Sequence, residues 1–573
     1  MSQLPAPNIA RVLDRTAFLR PDAPSLTYHK KTWTALDAAL ESRRLAQLLL
    51  RAGVSAGDRV MIISRNSPYH LFTLVACARI GAIVVPISPS LTRYEIANLV
   101  NFCAPRLIIC SPEVAAFGTF DSQGTIFHYV IDDDPVAGPL GPALKQGYIG
   151  LSATLAVLDG DFISDSARAP GLGTREYPQG NVLMHIISGE ASRPRAVCLS
   201  EKQLFWAARN MRDEFFYGPG DVTLVLSPMS SAAGLGGGVI NIFAAGGHLI
   251  LMHAFEPLET LRIIEEYSVT LMFGVPSVYR AILDTLATHG GDISSVRVPM
   301  IGGTLVPDNL LEDMQNLGLS PINVWGTAHM GGPGIYLPSA FIKDHPSAIG
   351  HPFPYMQARV VDPVTGEDVP DGEVGELIVR GPSVSTHMWH DNELTQDTFS
   401  DGWLKTGDYV SSDGSFLSLA GHSLKRIVTS GRCVCAGEVE DVLSGYDGLK
   451  DVVVCGIPDE LWGETVVATI VLDEGAPVPT LGEVQEFCAQ RLAAYKLPRL
   501  LLVLPEIPRT DGGEVDRSQV RDLAISPAVP EPVPAPITNT VSLSPVSAPS
   551  PGSARSASSS SRARSASSAS SAN

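Results

Sequence analysis

The chain has 573 residues, with 60 Asp or Glu against 41 Lys or Arg and a formal net charge of −19. That balance excludes a general nucleic-acid binder, which needs a basic face to neutralise phosphates. Length and a hydrophobic content of 45% fit a globular protein with a sizeable core and more than one domain.

The N-terminal stretch Met1–Thr16 is mixed and carries Pro5 and Pro7, so it predicts no apolar signal segment. Gly57-Asp58-Arg59 turns into the apolar run Val60–Ile63, a predicted buried strand. The apolar stretch Leu71–Ile87 is broken by Arg79, Gly81 and Pro86. It predicts a buried helix followed by a buried strand, not a membrane span. A helix over 93–103 and a strand over 107–110 follow, and the rhythm returns near 222–226, 248–252 and 270–273. Strands alternating with helices predict parallel β-α-β units. From about 357 shorter strands and turns predict a small β-rich subdomain. A boundary is placed at Gly421–Lys425. A compact α+β domain is expected over 421–525, with helices 438–444 and 481–493 and strands 451–455 and 466–472. Residues 526–573 are rich in Pro, Ser and Ala, and their composition predicts a disordered tail. The eight cysteines are scattered, without paired zinc spacing or a disulfide pattern, so a reducing, cytoplasmic setting is expected.

The chemistry lies in an ordered set of short motifs. Gly375-Glu376-Leu377-Ile378-Val379-Arg380-Gly381-Pro382 precedes Asp401-Gly402-Trp403-Leu404-Lys405 and Thr406-Gly407-Asp408. Gly421, Ser430-Gly431 and Gly437-Glu438-Val439-Glu440 follow. This order resembles the acid-activating ligases that make acyl-adenylates: acyl-CoA synthetases, luciferases and peptide-synthetase adenylation domains. The resemblance covers roughly residues 20–525. It implies an α/β fold: a large N-terminal domain over 1–420 with mostly parallel sheets, then a small mobile α+β lid over 421–525. It also implies two-step chemistry with ATP and Mg2+. A carboxylic acid becomes acyl-AMP, and a thiol such as CoA then displaces AMP.

Several positions depart from the family pattern. The phosphate loop is Ile187-Ser188-Gly189-Glu190-Ala191-Ser192-Arg193-Pro194-Arg195. Ser188 and Gly189 match the family, Arg195 stands for its lysine, and Glu190 replaces a threonine. A carboxylate there repels phosphate unless Arg193 or Arg195 pairs with it. Gly302-Gly303-Thr304 matches the loop that lies along adenine, where glycine lets backbone approach a ring. Trp325-Gly326-Thr327-Ala328-His329 matches the next motif, with His329 where a magnesium-binding glutamate is usual. Imidazole is a poor ligand for magnesium, which prefers oxygen.

Asp408 corresponds to the ribose-binding aspartate. His422 replaces an arginine, and Lys425 holds the hinge position. Glu514, in Pro508-Arg509-Thr510-Asp511-Gly512-Gly513-Glu514, stands where the family carries the lysine that stabilises adenylation. Lys496, in Tyr495-Lys496-Leu497-Pro498, is retained and is the candidate substitute cation. The acyl pocket is sketched by Pro228-Met229-Ser230-Ser231 and by Phe273–Arg280.

Three functions stay open at this level. One is a divergent acyl- or aryl-CoA ligase. The second is a ligase passing the acyl group to a carrier protein or an amine. The third is a catalytically impaired pseudoenzyme of the same fold that binds ligand or partner.

Overall fold

The computed structural model describes residues 8–120, 126–135, 139–158, 180–187, 194–345, 348–510 and 515–525. The expected tail, the phosphate-loop residues Ser188 to Arg193 and the Asp511–Glu514 segment lie outside these.

Two large sheets share one core. The first runs, in space, Ile149–Gly150, Phe127–Val130, Leu107–Cys110, Arg59–Ile63, Ile83–Ile87, Asn181–Ile187 and Arg195–Ser200. All neighbours in it are parallel except the last pair. Alternation along its strands sorts side chains to two faces. Val60 and Ile62 enter the core shared with the second sheet, and Met61 and Ile63 enter a cluster under helix Arg93–Cys103.

The second sheet repeats the pattern. Leu249 and Leu251 face the shared core, while Ile250 packs beneath the helices Pro257–Tyr267 and Pro276–His289. Helix Pro68–Ile80 is apolar on all sides and buried from Pro68 to Arg79. A helix packed between the first sheet and helices Ile9–Leu19 and Ala35–Arg51 has no solvated face to make polar. Ser67 caps its start, and Gly81, with φ of 79°, ends it.

The β-rich region beyond 357 is not a separate sheet. The second sheet continues through Gly332–Leu337 and Ala348–Pro352 into Leu417–His422, Trp403–Ser412, Val374–Arg380 and Gln357–Val361. Antiparallel pairing begins where the β-α-β units stop.

Sheet membership changes between His422 and Arg426. Strand Leu417–His422 closes on the second sheet, and Arg426–Thr429 starts a third, smaller one with Arg432–Cys435, Leu449–Asp459, Gly463–Leu472 and Leu500–Val503. We call this segment the lid. Helices Ala436–Leu443 and Leu481–Ala489 cover one face of its sheet, and Arg517–Ile525 packs on the other. Helix Leu481–Ala489 ends four residues short of the expected span. Its start is fixed by a Thr480/Glu483 capping box. No described helix is long and apolar enough to cross a membrane.

Candidate active site

The site is built at the seam between body and lid. Strands Val298–Gly302 and Ile322–Thr327 are parallel neighbours, with Gly302 opposite Val324. Their carboxyl ends therefore set Gly303-Thr304 beside Trp325-Gly326-Thr327, the end of an open α/β sheet where ligands bind. A Cβ on Gly302 would strike the Val324 backbone, and Gly303 has φ of 85°. Both positions need glycine.

Asp408 sits on the next part of the same sheet, directly opposite His422 in register. Its residue exposure is only 4%. One carboxylate oxygen accepts from Trp325 Nε1 at 2.9 Å, and the other accepts from Arg426 of the lid. The Thr406 hydroxyl binds the Leu377 carbonyl at 2.6 Å and fixes the turn that aims Asp408. Asp408 thus lies buried at the body–lid seam, oriented by an indole and a guanidinium.

Arg426 was not singled out from the sequence. Its signal was a second cation directly after the hinge residue Lys425, four residues beyond the histidine that replaces the family arginine. Burial holds the guanidinium below its ordinary pKa, and its Nε is buried without a hydrogen-bond partner.

His422 pairs with Glu464 of the lid at 3.0 Å. Burial alone would lower the imidazole pKa. The Glu464 carboxylate and the Ser423 carbonyl outweigh it, and the net shift is upward. A raised value means the charged pair stabilises the folded form most below about pH 6.5, the unfolded histidine value. That stability fades as pH rises through the raised folded pKa. We expect thermal stability of the wild type to fall, relative to His422→Gln, as pH rises above about 6.5. Parallel melting curves across that range check it, and identical pH profiles would remove the pair from the account.

His329 has a different environment. Burial and the adjacent Arg426 push its pKa down to about 4, so it is neutral at ordinary pH. Its Nδ1 lies 3.3 Å from the Thr327 hydroxyl. A neutral imidazole and a hydroxyl do not make a magnesium site. No step is assigned to a metal held by these residues.

Lys496 is not directed at Asp408. Its ammonium is bound by Glu95 of the body at 2.8 Å and by Glu438 of the lid at 2.6 Å. Burial lowers its pKa, but Tyr495 and the two carboxylates reverse the shift to a net rise. The lysine fastens lid to body. Lys496→Met leaves Glu95 buried without its cation, and we expect a loss of about 3 kcal/mol. Thermal unfolding and faster proteolytic cleavage near the hinge measure this; unchanged values of both would refute the clamp.

Lys425 is exposed at the hinge, and Arg195 opens the strand opposite Ile187. Ser188, Gly189 and Glu514 fall outside the described residues. The flanks of Glu514 are anchored within the lid, Arg509 to Asp451 at 2.8 Å and Val515 against its apolar face. Two lid turns lie on the Val275 and Gly303-Thr304 loops. Gly431, with φ of 71°, would place a Cβ 2.6 Å from Val275, and Gly463 packs against Thr304. Tyr279 of the sketched acyl pocket is core, at 1% exposure.

The AMP-binding enzyme model matches residues 13–389, and the AMP-binding enzyme C-terminal domain matches 438–514. The chain belongs to the AMP-binding enzyme family. It is 30% identical over 514 residues to an indoleacetate–CoA ligase of Aromatoleum aromaticum, covering 89% of this chain and 97% of that protein. It is 28% identical to a fatty acid–[acyl-carrier-protein] ligase, ScoC, of Streptomyces coeruleorubidus, covering 91% of this chain and 98% of the relative. Among solved structures, o-succinylbenzoate CoA synthetase (MenE) of Bacillus subtilis bound with a product analogue superposes with a TM-score of 0.75 at 22% identity. It covers 90% of this chain and 98% of that one. These likenesses establish an adenylate-forming ligase fold with a C-terminal AMP-binding domain.

Proposed function

We propose that this protein joins an aromatic or other apolar carboxylic acid to the thiol of CoA through an acyl-adenylate. The single observation that carries the reading is Asp408, buried at the body–lid seam with both oxygens oriented and hydrogen-bonded to Trp325, whose strand pairs with the one ending at Gly302. A carboxylate held this way accepts the two ribose hydroxyls of ATP while backbone at Gly303 lies against adenine.

In the first step a substrate carboxylate oxygen attacks the α-phosphorus of ATP and pyrophosphate leaves. In the second a thiolate attacks the acyl carbon and AMP leaves. Magnesium would be carried chiefly by the triphosphate, since Thr327 and His329 supply no carboxylate. Arg426 is the cation nearest Asp408 and stands in for the arginine that His422 replaced. The indoleacetate ligase is the relative that favours an aromatic acid and a CoA acceptor. The ScoC relative favours a second reading, in which a carrier-protein thiol takes the acyl group.

The test mixes the protein with ATP, magnesium and a panel of acids. Acid-dependent pyrophosphate release, hydroxylamine trapping of the adenylate and CoA consumption are read in parallel. Pyrophosphate and thioester with an aromatic acid support the proposal. Pyrophosphate without CoA use moves the acceptor to a carrier protein. No acid-dependent pyrophosphate from any acid would refute an active ligase.

A further inference from the structure

One cluster of side chains lies outside the nucleotide site. Strands Pro24–Tyr28 and His248–Leu251 are parallel neighbours, with Tyr28 opposite Leu251. His29 follows the first strand directly, and His253 follows the second by two residues. Asp134 follows Phe127–Val130, a parallel strand of the other sheet. Three carboxyl ends of strands thus deliver two imidazoles and a carboxylate to one place. One ligand-capable atom from each lies within 4.8 Å of the other two. His253 Nδ1 is 3.6 Å from Asp134 Oδ2, with side-chain exposures of 20% and 7%.

Tyr28 ties the set together. Its hydroxyl is 2.8 Å from Asp134 Oδ2 and 2.7 Å from His253 Nδ1. It has one proton, so it donates to one neighbour and accepts from the other. The Tyr28 ring also packs edge-on against His29, with centroids 4.3 Å apart. The phenol is thereby placed to donate to the carboxylate once a metal takes the imidazole nitrogen. That is the supporting hydrogen bond ligating carboxylates commonly receive.

We propose that His29, Asp134 and His253 form a binding site for a transition-metal dication of the zinc class. Two nitrogens and one carboxylate oxygen suit zinc, cobalt, nickel or copper; magnesium and calcium prefer all-oxygen sets. Metal–ligand bonds near 2.0–2.1 Å place tetrahedral ligand atoms about 3.3 Å apart. Small side-chain rotations close the present spacing to that value. A fourth position stays open to water. The ion pins the turn after Tyr28, the loop after Val130 and the end of the strand at Leu251 to one another. This binding makes no use of Asp408 and stands whether or not the ligase reading holds.

The experiment uses the full chain without a polyhistidine tag, stripped with a chelator and titrated with Co2+ and then Zn2+. We expect one Co2+ per chain, with the visible bands of a tetrahedral nitrogen–oxygen site, displaced by Zn2+. Zn2+ raises the melting temperature of the wild type and not of His29→Ala, whose substitution lies at an exposed turn. Tyr28→Phe, which keeps all three ligands, weakens binding about tenfold. Absence of stoichiometric binding, binding undiminished in His29→Ala/His253→Ala, or a sulfur-to-cobalt charge-transfer band marking cysteine ligands would each overturn the assignment.

Discussion

Replacing Glu514 with lysine raises the rate of acid-dependent pyrophosphate exchange about 100-fold or more. The basis is charge. The α-phosphate gathers negative charge as the acid attacks, and a preorganised donor aimed there is worth about 3–4 kcal/mol. The motif Pro508–Glu514 resembles the family segment whose lysine is that donor, and we propose that Glu514 sets an anion in its place. The substitution reverses a repulsion as well as adding an attraction. The loop can carry the change, because its flanks are held by Arg509–Asp451 and by Val515 in the lid. Exchange of labelled pyrophosphate into ATP, with a saturating acid, measures it. The thioester step, started from supplied acyl-adenylate, should stay within about twofold, because the interaction belongs to the other transition state. An unchanged exchange rate would show that Glu514 does not approach the reacting phosphate.

Replacing Asp408 with alanine raises the half-saturating ATP concentration by about 150-fold or more. Two hydroxyl hydrogen bonds to a charged acceptor are worth about 1.5–3 kcal/mol each. The same substitution strands Arg426, whose guanidinium has lost its carboxylate, and releases Trp325 Nε1. Some loss of stability follows, so the readout must separate binding from folding. Asp408→Asn does so: it keeps an acceptor for the indole and the shape of the side chain. It leaves Arg426 facing an amide, so we expect a smaller loss of stability than in the alanine variant, measured alongside by thermal unfolding, and ATP bound about tenfold more weakly by the folded protein, since the charged acceptor is gone. Half-saturation for the acid should move little in either variant. Equal weakening for acid and ATP would mean that Asp408 shapes the whole cleft and does not hold ribose.

Much of the body was legible because its patterns are local. Val60–Ile63 and Leu107–Cys110 are unbroken apolar runs, as strands buried on both faces must be. Helix Arg93–Cys103 spans the expected 93–103, its start closed by a Thr92/Glu95 capping box. The shared sheet beyond residue 357 was not legible, since which strand a given edge joins is a non-local property. Asp408, Trp325 and the Gly302-Gly303 pair were readable as motif positions, and the fold brings them to one seam.

The lid-to-body fastenings were not readable. Lys496 was expected near the phosphate as a substitute cation, yet its partners Glu95 and Glu438 stand 401 and 58 residues away in sequence and claim its charge. Glu464 under His422 and Arg426 on Asp408 are likewise pairings across the hinge. Only placement of the lid reveals them. His329 reads as a poor magnesium ligand standing where a glutamate is usual, and burial beside a guanidinium keeps it neutral.

The most direct test of the account is a calorimetric titration with a stable acyl-adenylate mimic, an aromatic acyl sulfamoyl adenosine. The wild-type protein should bind one equivalent tightly, and Asp408→Asn should bind it about tenfold more weakly. Absence of binding by the wild type, or equal affinity in the variant, would contradict the claim that Asp408 anchors a nucleotide at the body–lid seam.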